Sequence, residues 1–186
     1  SASIKLKSIE SERVAVEEAQ TIHSEDNLIL LYIHKGALNY KHDGHQGEIK
    51  KRDLVILNPR QSIEIEPIHK IEWIQIKLTG ILFTSSLEIN SENQLFIISD
   101  TSQTLKQYLD LALIEKEQRF RGSEIILKKL LECVMVHILR NNELSIKDSS
   151  IQVKHNEIEI IQQYIRDNFS KKLTLDDLSE LVNINK

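Results

Sequence analysis

His42 and His45 flank an Asp43-Gly44 pair, and imidazoles at the two sides of a tight turn either share a metal ion or stand solvated beside it. Two donors fall short of the three protein ligands a catalytic metal needs, so the solvated role is the simpler one. Ser85-Ser86 and Ser149-Ser150 lie in polar surroundings with no histidine signature nearby to activate a nucleophile. Neither a glycine-rich phosphate loop nor a Cys-x-x-Cys pair occurs. The lone Cys133 excludes an internal disulfide; among Leu130, Leu131, Val134 and Val136 it reads as a small core hydrophobe on an apolar helix. No catalytic residue, resident metal or cofactor is expected, and the chain reads as a non-enzyme.

The elements that position these residues follow from hydrophobic period. Over residues 27–98, short β-branched runs alternate with turn residues, the rhythm of a sandwich or barrel. Runs occur at Ile29 to Ile33, Ala37 to Lys41, Gln46 to Ile49 and Leu54 to Leu57, with Asp43-Gly44 as a hairpin signal and Asn58-Pro59 as a turn. Ser62 to Glu66 and Trp73 to Leu78 alternate with period two, each a strand with two different environments. The residues before Asn27 form either a mobile arm or the first strand. Near Thr101 the period changes to helical. Leu105, Tyr108, Leu109 and Ala112 mark one helix; Leu127, Leu130, Leu131, Val134 and Ile138 mark a second, after a break at Arg121-Gly122-Ser123. Ile126, Cys133 and Met135 lie off that second stripe. The helix therefore either pairs with a second copy as well as its own sheet, or is wholly covered by the first helix and the strands. The polar stretch 145–156 reads as a linker.

The chain has 186 residues, enough for one ordinary core with a helical appendage, and its net charge of −4 leaves no electrostatic footprint for nucleic acid. It has no membrane-length apolar run and no signal-type start, so a cytoplasmic protein with a processed or engineered N-terminus is expected. Near the C-terminus Thr174 is placed to cap a helix, with Asp177 as its capping-box partner. Leu175, Leu178 and Val182 come next on one stripe, facing Ile158, Ile161, Ile165 and Phe169 of a preceding helix. The segment 157–186 reads as the opening of a helix-turn-helix whose recognition helix would lie beyond Lys186.

Tyr164-Ile165-x-x-Asn168-Phe169 with Leu173-Thr-Leu-x-x-Leu-Ser-x-x-Val-Asn-Ile resembles the start of the DNA-binding domain of AraC/XylS-type transcription regulators. Leu30-Leu31-Tyr32-Ile33-x-x-Gly36, Asp43-Gly44 and Lys51-Arg52-Asp53-Leu54-Val55-Ile56-Leu57-Asn58-Pro59 resemble the cupin-type sensor domain of the same family. The resemblance implies an α+β chain: a cupin-like ligand-sensing barrel over 1–100, a dimerising helical pair over 101–144, the linker, and a truncated DNA-binding domain. It implies a small-molecule effector, promoter DNA for the full-length protein and a homodimer, with Leu127, Leu130, Leu131, Val134 and Ile138 at the dimer contact. Thr174, Leu175, Leu178 and Val182 would be the helix-turn-helix scaffold. Against the cupin metal motif, His23 is kept while Glu25 and Ile29 replace the second histidine and the glutamate. In the family's sugar pocket, Trp73 falls where an aromatic platform stacks and Lys35 where a cation contacts hydroxyls, while Ile71 and Ile65 replace a histidine and a tyrosine; read from the residues alone, Trp73 fits core packing and Lys35 a surface charge equally well. That loss of polar partners implies an effector more apolar or anionic than a polyol. Arg52 stands where the family places a turn glycine, so a positive-φ turn is not expected there. A stand-alone cupin, as a carbohydrate-binding module or metal enzyme, is the alternative.

Overall fold

Strand burial sorts into two patterns, and they set the architecture. The computed structural model describes residues 4–15, 19–87 and 93–149. In β7 (Ser62–Pro67), Ile63, Ile65 and Pro67 are buried while Ser62, Glu64 and Glu66 are exposed, as on a sheet with one wet face. By contrast β6 (Asp53–Leu57) is buried throughout, and β3 (Leu28–Lys35) is buried from Leu28 to Ile33. Such runs must be covered on both sides.

The cover comes from two directions. An antiparallel sheet has the order β1-β8-β3-β6-β10, with β1 at Lys5–Val14, β8 at Ile71–Thr79 and β10 at Phe96–Ser99. A second has the order β2-β7-β4-β5, with β2 at Gln20–His23, β4 at Ala37–His42 and β5 at His45–Lys50. Alternate residues of the first sheet, Ile29, Leu31, Ile33, Val55, Leu57, Ile71 and Trp73, cluster with Leu38, Ile49, Ile63 and Ile65 of the second. The intervening residues, Leu28, Leu30, Tyr32, Leu54, Ile56, Ile74, Ile76 and Leu78, pack on helices α1 (Thr104–Gln118) and α2 (Ser123–Asn141). A small sheet of β9 (Ile81–Ser85) and β11 (Leu144–Asp148) adds Ile81 and Phe83 to that core.

Several expectations change. The strands form three separate sheets, the larger two packed as a sandwich, in place of a closed barrel. The residues before Asn27 supply strands β1 and β2. Leu131, Val134 and Ile138 are buried in the core shared with the sheet, and Leu127 and Leu130 pack partly against it. Cys133, expected inside, is exposed, because it falls on the opposite side of α2 from that stripe. The stretch read as linker begins as β11 and pairs with β9.

Arg52 takes φ +76, contrary to the expectation of a differently built bend. Its N–H donates to Ile33 O (2.8 Å) and its carbonyl accepts from Asp100 N–H (2.8 Å). Two tertiary hydrogen bonds thus hold a left-handed residue that costs roughly 1–2 kcal/mol. Asp43 (φ 45) and Gly44 (φ 77) make the expected tight hairpin turn, with His42 opposite His45. Gly36, between β3 and β4, has φ +85, and a Cβ there would lie 2.6 Å from the Lys70 carbonyl oxygen. Backbone cannot yield as a side-chain tip can. Gly36→Ala is therefore expected to cost at least about 2 kcal/mol, read as a lower urea midpoint with unchanged slope.

Candidate functional site

Trp73 sits on the inner face of β8, opposite Ile33, and is 2% exposed. Its indole Nε1–H has no hydrogen-bond partner among the described residues. A buried unpaired donor costs on the order of 1–3 kcal/mol, so such a group in a hydrophobic interior is notable. Ile65 and Ile71 belong to the same packed cluster. Lys35 does not join them. It is exposed at the end of β3, beyond a register irregularity, opposite Glu72, whose carboxylate lies 3.5 Å from the Arg13 Nε.

A cleft of about 880 Å³ lies between Leu6 of β1 and Leu127, Leu131 and Val136 of α2, and three smaller ones lie at the rim of the sandwich, around the β4–β5 hairpin. One cleft of about 470 Å³ is lined by Tyr40, Gly47 and Ile65 together with Lys41, Glu64 and Glu66. A neighbour of about 420 Å³ is also lined by Tyr40, with His42, His45, Gln46 and Leu95. Tyr40 and Gln46 line both, and Tyr40 is partly buried against the Trp73 cluster. Its ring lies over Gly47, where a Cβ would come within 3.0 Å of it. Sequence reasoning missed Tyr40; its cross-strand position opposite a glycine was the available signal.

A third cleft, of about 600 Å³, contains His23, His42 and His45. The motif residues His23 and Glu25 are exposed. His42 is 8% exposed, with Nδ1 2.8 Å from Ser62 O and Nε2 3.3 Å from Asn93 O. Among the described residues, no three His, Cys, Asp or Glu side chains are grouped to hold a metal ion. The helix-turn-helix candidates Thr174, Leu175, Leu178 and Val182 lie outside the described residues.

A buried carboxylate joins the sandwich to the helices. Asp100, 3% exposed, accepts the Tyr32 hydroxyl at 3.1 Å and the backbone N–H groups of Leu105 (3.3 Å) and Lys106 (3.0 Å). It therefore caps α1 while gripping β3, a favourable place for a negative charge. Burial, and then the Asp100 charge and hydrogen bond, hold the Tyr32 phenol well above the usual tyrosine range. Tyr32 stays a donor. At the far end of α1 the Lys116 ammonium reaches the Ile9 carbonyl of β1.

The architecture is an antiparallel sandwich with one sheet backed by a helical pair. Known proteins narrow the class. Residues 17–132 match the family described as AraC-like ligand binding domain, and the chain belongs to it. ToxT of Vibrio cholerae O395 aligns at a TM-score of 0.55 and 12% identity, over 96% of this chain and 70% of that one. Apo ToxT K231A of strain SCE256 gives the same score and identity over 96% and 72%. At that identity the likeness shows a shared fold. The Clostridium difficile EutQ protein aligns at 0.33 and 12% identity over 37% of this chain, which spans about half (53%) of its length. No curated protein sequence matches the chain.

Removing the Tyr32 hydroxyl leaves Asp100 with the Leu105 and Lys106 N–H groups and the Ser102 hydroxyl, the last at 3.5 Å. Tyr32→Phe is expected to lower stability by about 1.5–3 kcal/mol, the range for a hydrogen bond to a charged group, and to raise amide exchange in the first turn of α1.

Proposed function

We propose that this chain is the effector-sensing part of an AraC-type transcription regulator. It would bind a small molecule and, in the full-length regulator, act on promoter DNA in the cytoplasm. The observation that carries this is the family match, which begins at the sandwich and continues into α2. On this reading the protein is a binding device with no catalytic step and no resident cofactor.

The unpartnered Nε1–H of Trp73 supports an effector that brings a hydrogen-bond acceptor into an otherwise aliphatic interior. Ile65 supports the rim as its entrance, because it lines the cleft beside Tyr40 and belongs to the Trp73 cluster. The cluster is packed, so an effector would have to open it, and the ligand-bound arrangement would differ from this one. Because β3 contributes to both cores, displacement on the effector side would be felt by the helices on the other.

The homodimer contact of such a regulator would use the outer side of α2. Ile125, Ile126 and Val136 are 69%, 45% and 42% exposed there. The stripe of Val134 and Ile138 would act indirectly, by fixing the helix on its own sheet.

Trp73 is the single tryptophan of the chain, so its emission reports the interior directly. A screen of small acids and apolar effectors by thermal shift is expected to find a compound that raises the melting temperature and also moves Trp73 emission. At one hundred times Kd the stabilisation is about 2.7 kcal/mol. A stabilising compound that leaves the emission untouched would place the effector elsewhere. In the regulator containing this chain, that compound should alter expression of a reporter driven by its promoter; an unresponsive reporter would remove the regulator reading. Val136→Asp is expected to shift sedimentation toward monomer with little change in protomer stability. Val134→Ala should instead cost about 1–3 kcal/mol through a core cavity, with the oligomer following stability alone.

A further inference from the structure

We propose that His42 is a proton-operated latch joining the rim of the sandwich to the segment that leads into β10. Both ring nitrogens of His42 face backbone carbonyl oxygens: Nδ1 lies 2.8 Å from Ser62 O and Nε2 lies 3.3 Å from Asn93 O. Carbonyls only accept. A neutral imidazole carries one N–H and can satisfy only one of them, leaving a lone pair against the other oxygen. The imidazolium carries two and satisfies both. The shorter contact is the bond kept in either state; the longer is the one completed by the second proton.

The surroundings bear on that proton. The Asp43 carboxylate is 3.7 Å from Nε2. His45 stands opposite on β5, His23 stands opposite Ser62 on β2, and Glu64 and Lys41 share the cleft. His42 is the member of this group whose ring is enclosed, at 8% exposure.

The latched segment has a definite place in the fold. Gln94, next to Asn93, gives its carbonyl to the Gln61 side chain at 3.1 Å, and Leu95 packs on the sandwich core. The chain then runs through β10 to Asp100, which caps α1. His42 and Asn93 also line one side of the cleft of about 420 Å³ beside Tyr40. Protonation of the ring therefore tightens one wall of that cleft, and its deprotonation loosens it. The latch stands on this geometry and does not require the regulator reading.

Residue-assigned imidazole ¹⁵N spectra of the 186-residue chain test it. At about pH 5 His42 is expected to show two slowly exchanging ring protons, and at about pH 8 one, on Nδ1. The backbone amides of Asn93 to Leu95 should shift with the same midpoint. In His42→Gln that shift should be lost while His23 and His45 still titrate, and the excess melting temperature of the wild type over the variant should widen on acidification. If the variant fails to fold, the wild-type spectra decide alone. A single ring proton on His42 at both pH values overturns the latch, as do Asn93 to Leu95 amides that stay still while the ring titrates.

Discussion

The β1-β8-β3-β6-β10 sheet is wetted on neither face across its centre, and the placement of every other element answers that condition. An antiparallel sheet ordinarily leaves one side to water. Here β3 and β6 carry large aliphatic side chains on both sides, and each such residue left exposed would forfeit about 1.5–3 kcal/mol. The four-stranded sheet takes one face and the helical pair takes the other. Against sums of that size, the left-handed Arg52, at roughly 1–2 kcal/mol, is a small local expense.

Polar groups enter this interior only as completed sets. Asn58 accepts the Phe83 N–H (2.8 Å) and donates its Nδ2 to the Phe83 carbonyl (2.7 Å), so a side-chain amide stands in for a neighbouring strand. Ser24 donates its hydroxyl to Asn58 O (2.7 Å) and accepts the Gln61 N–H (2.9 Å), closing the turn between β6 and β7. The exceptions are the Trp73 Nε1 and the His34 Nδ1, buried without partners among the described residues. Unsatisfied atoms in an otherwise accounted interior are where a ligand or a second conformation has most to offer.

Much of the strand order was legible because turn chemistry is local. Asp43-Gly44, Asn58-Pro59 and the period-two run from Ser62 mark β4 to β7 to within a residue or so. The switch to helical period near Thr101 and the break at Gly122 place α1 and α2 equally well. What the sequence hid was long-range. Whether strands close into a barrel or part into separate sheets depends on pairings between distant residues, and no local period records them. The same limit applies to α2: an apolar stripe announces burial without saying against what, so Val134 and Ile138 fit a dimer contact and an intramolecular core alike. Arg52 was misjudged because a side chain's intrinsic preference was weighed without the two tertiary hydrogen bonds that override it. Lys35 and Trp73 are close in the family pattern, yet a register irregularity after Ile33 sends Lys35 outward.

The helical pair is entered from β10 through Asp100 and left through β11, which lies beside β9. Ser86 N–H also donates to the Glu143 carbonyl at 2.9 Å, just after α2 ends. A unit tethered at one end can swing about a hinge; one stitched down at both ends, and again at Lys116, has no free pivot. Its available motion is shear, a sliding of α1 and α2 over the even-numbered side chains of β3, of the ångström scale that packed interfaces permit. Whatever the helices transmit would then be a lateral step between two packings, with discrete positions set by where those side chains interlock.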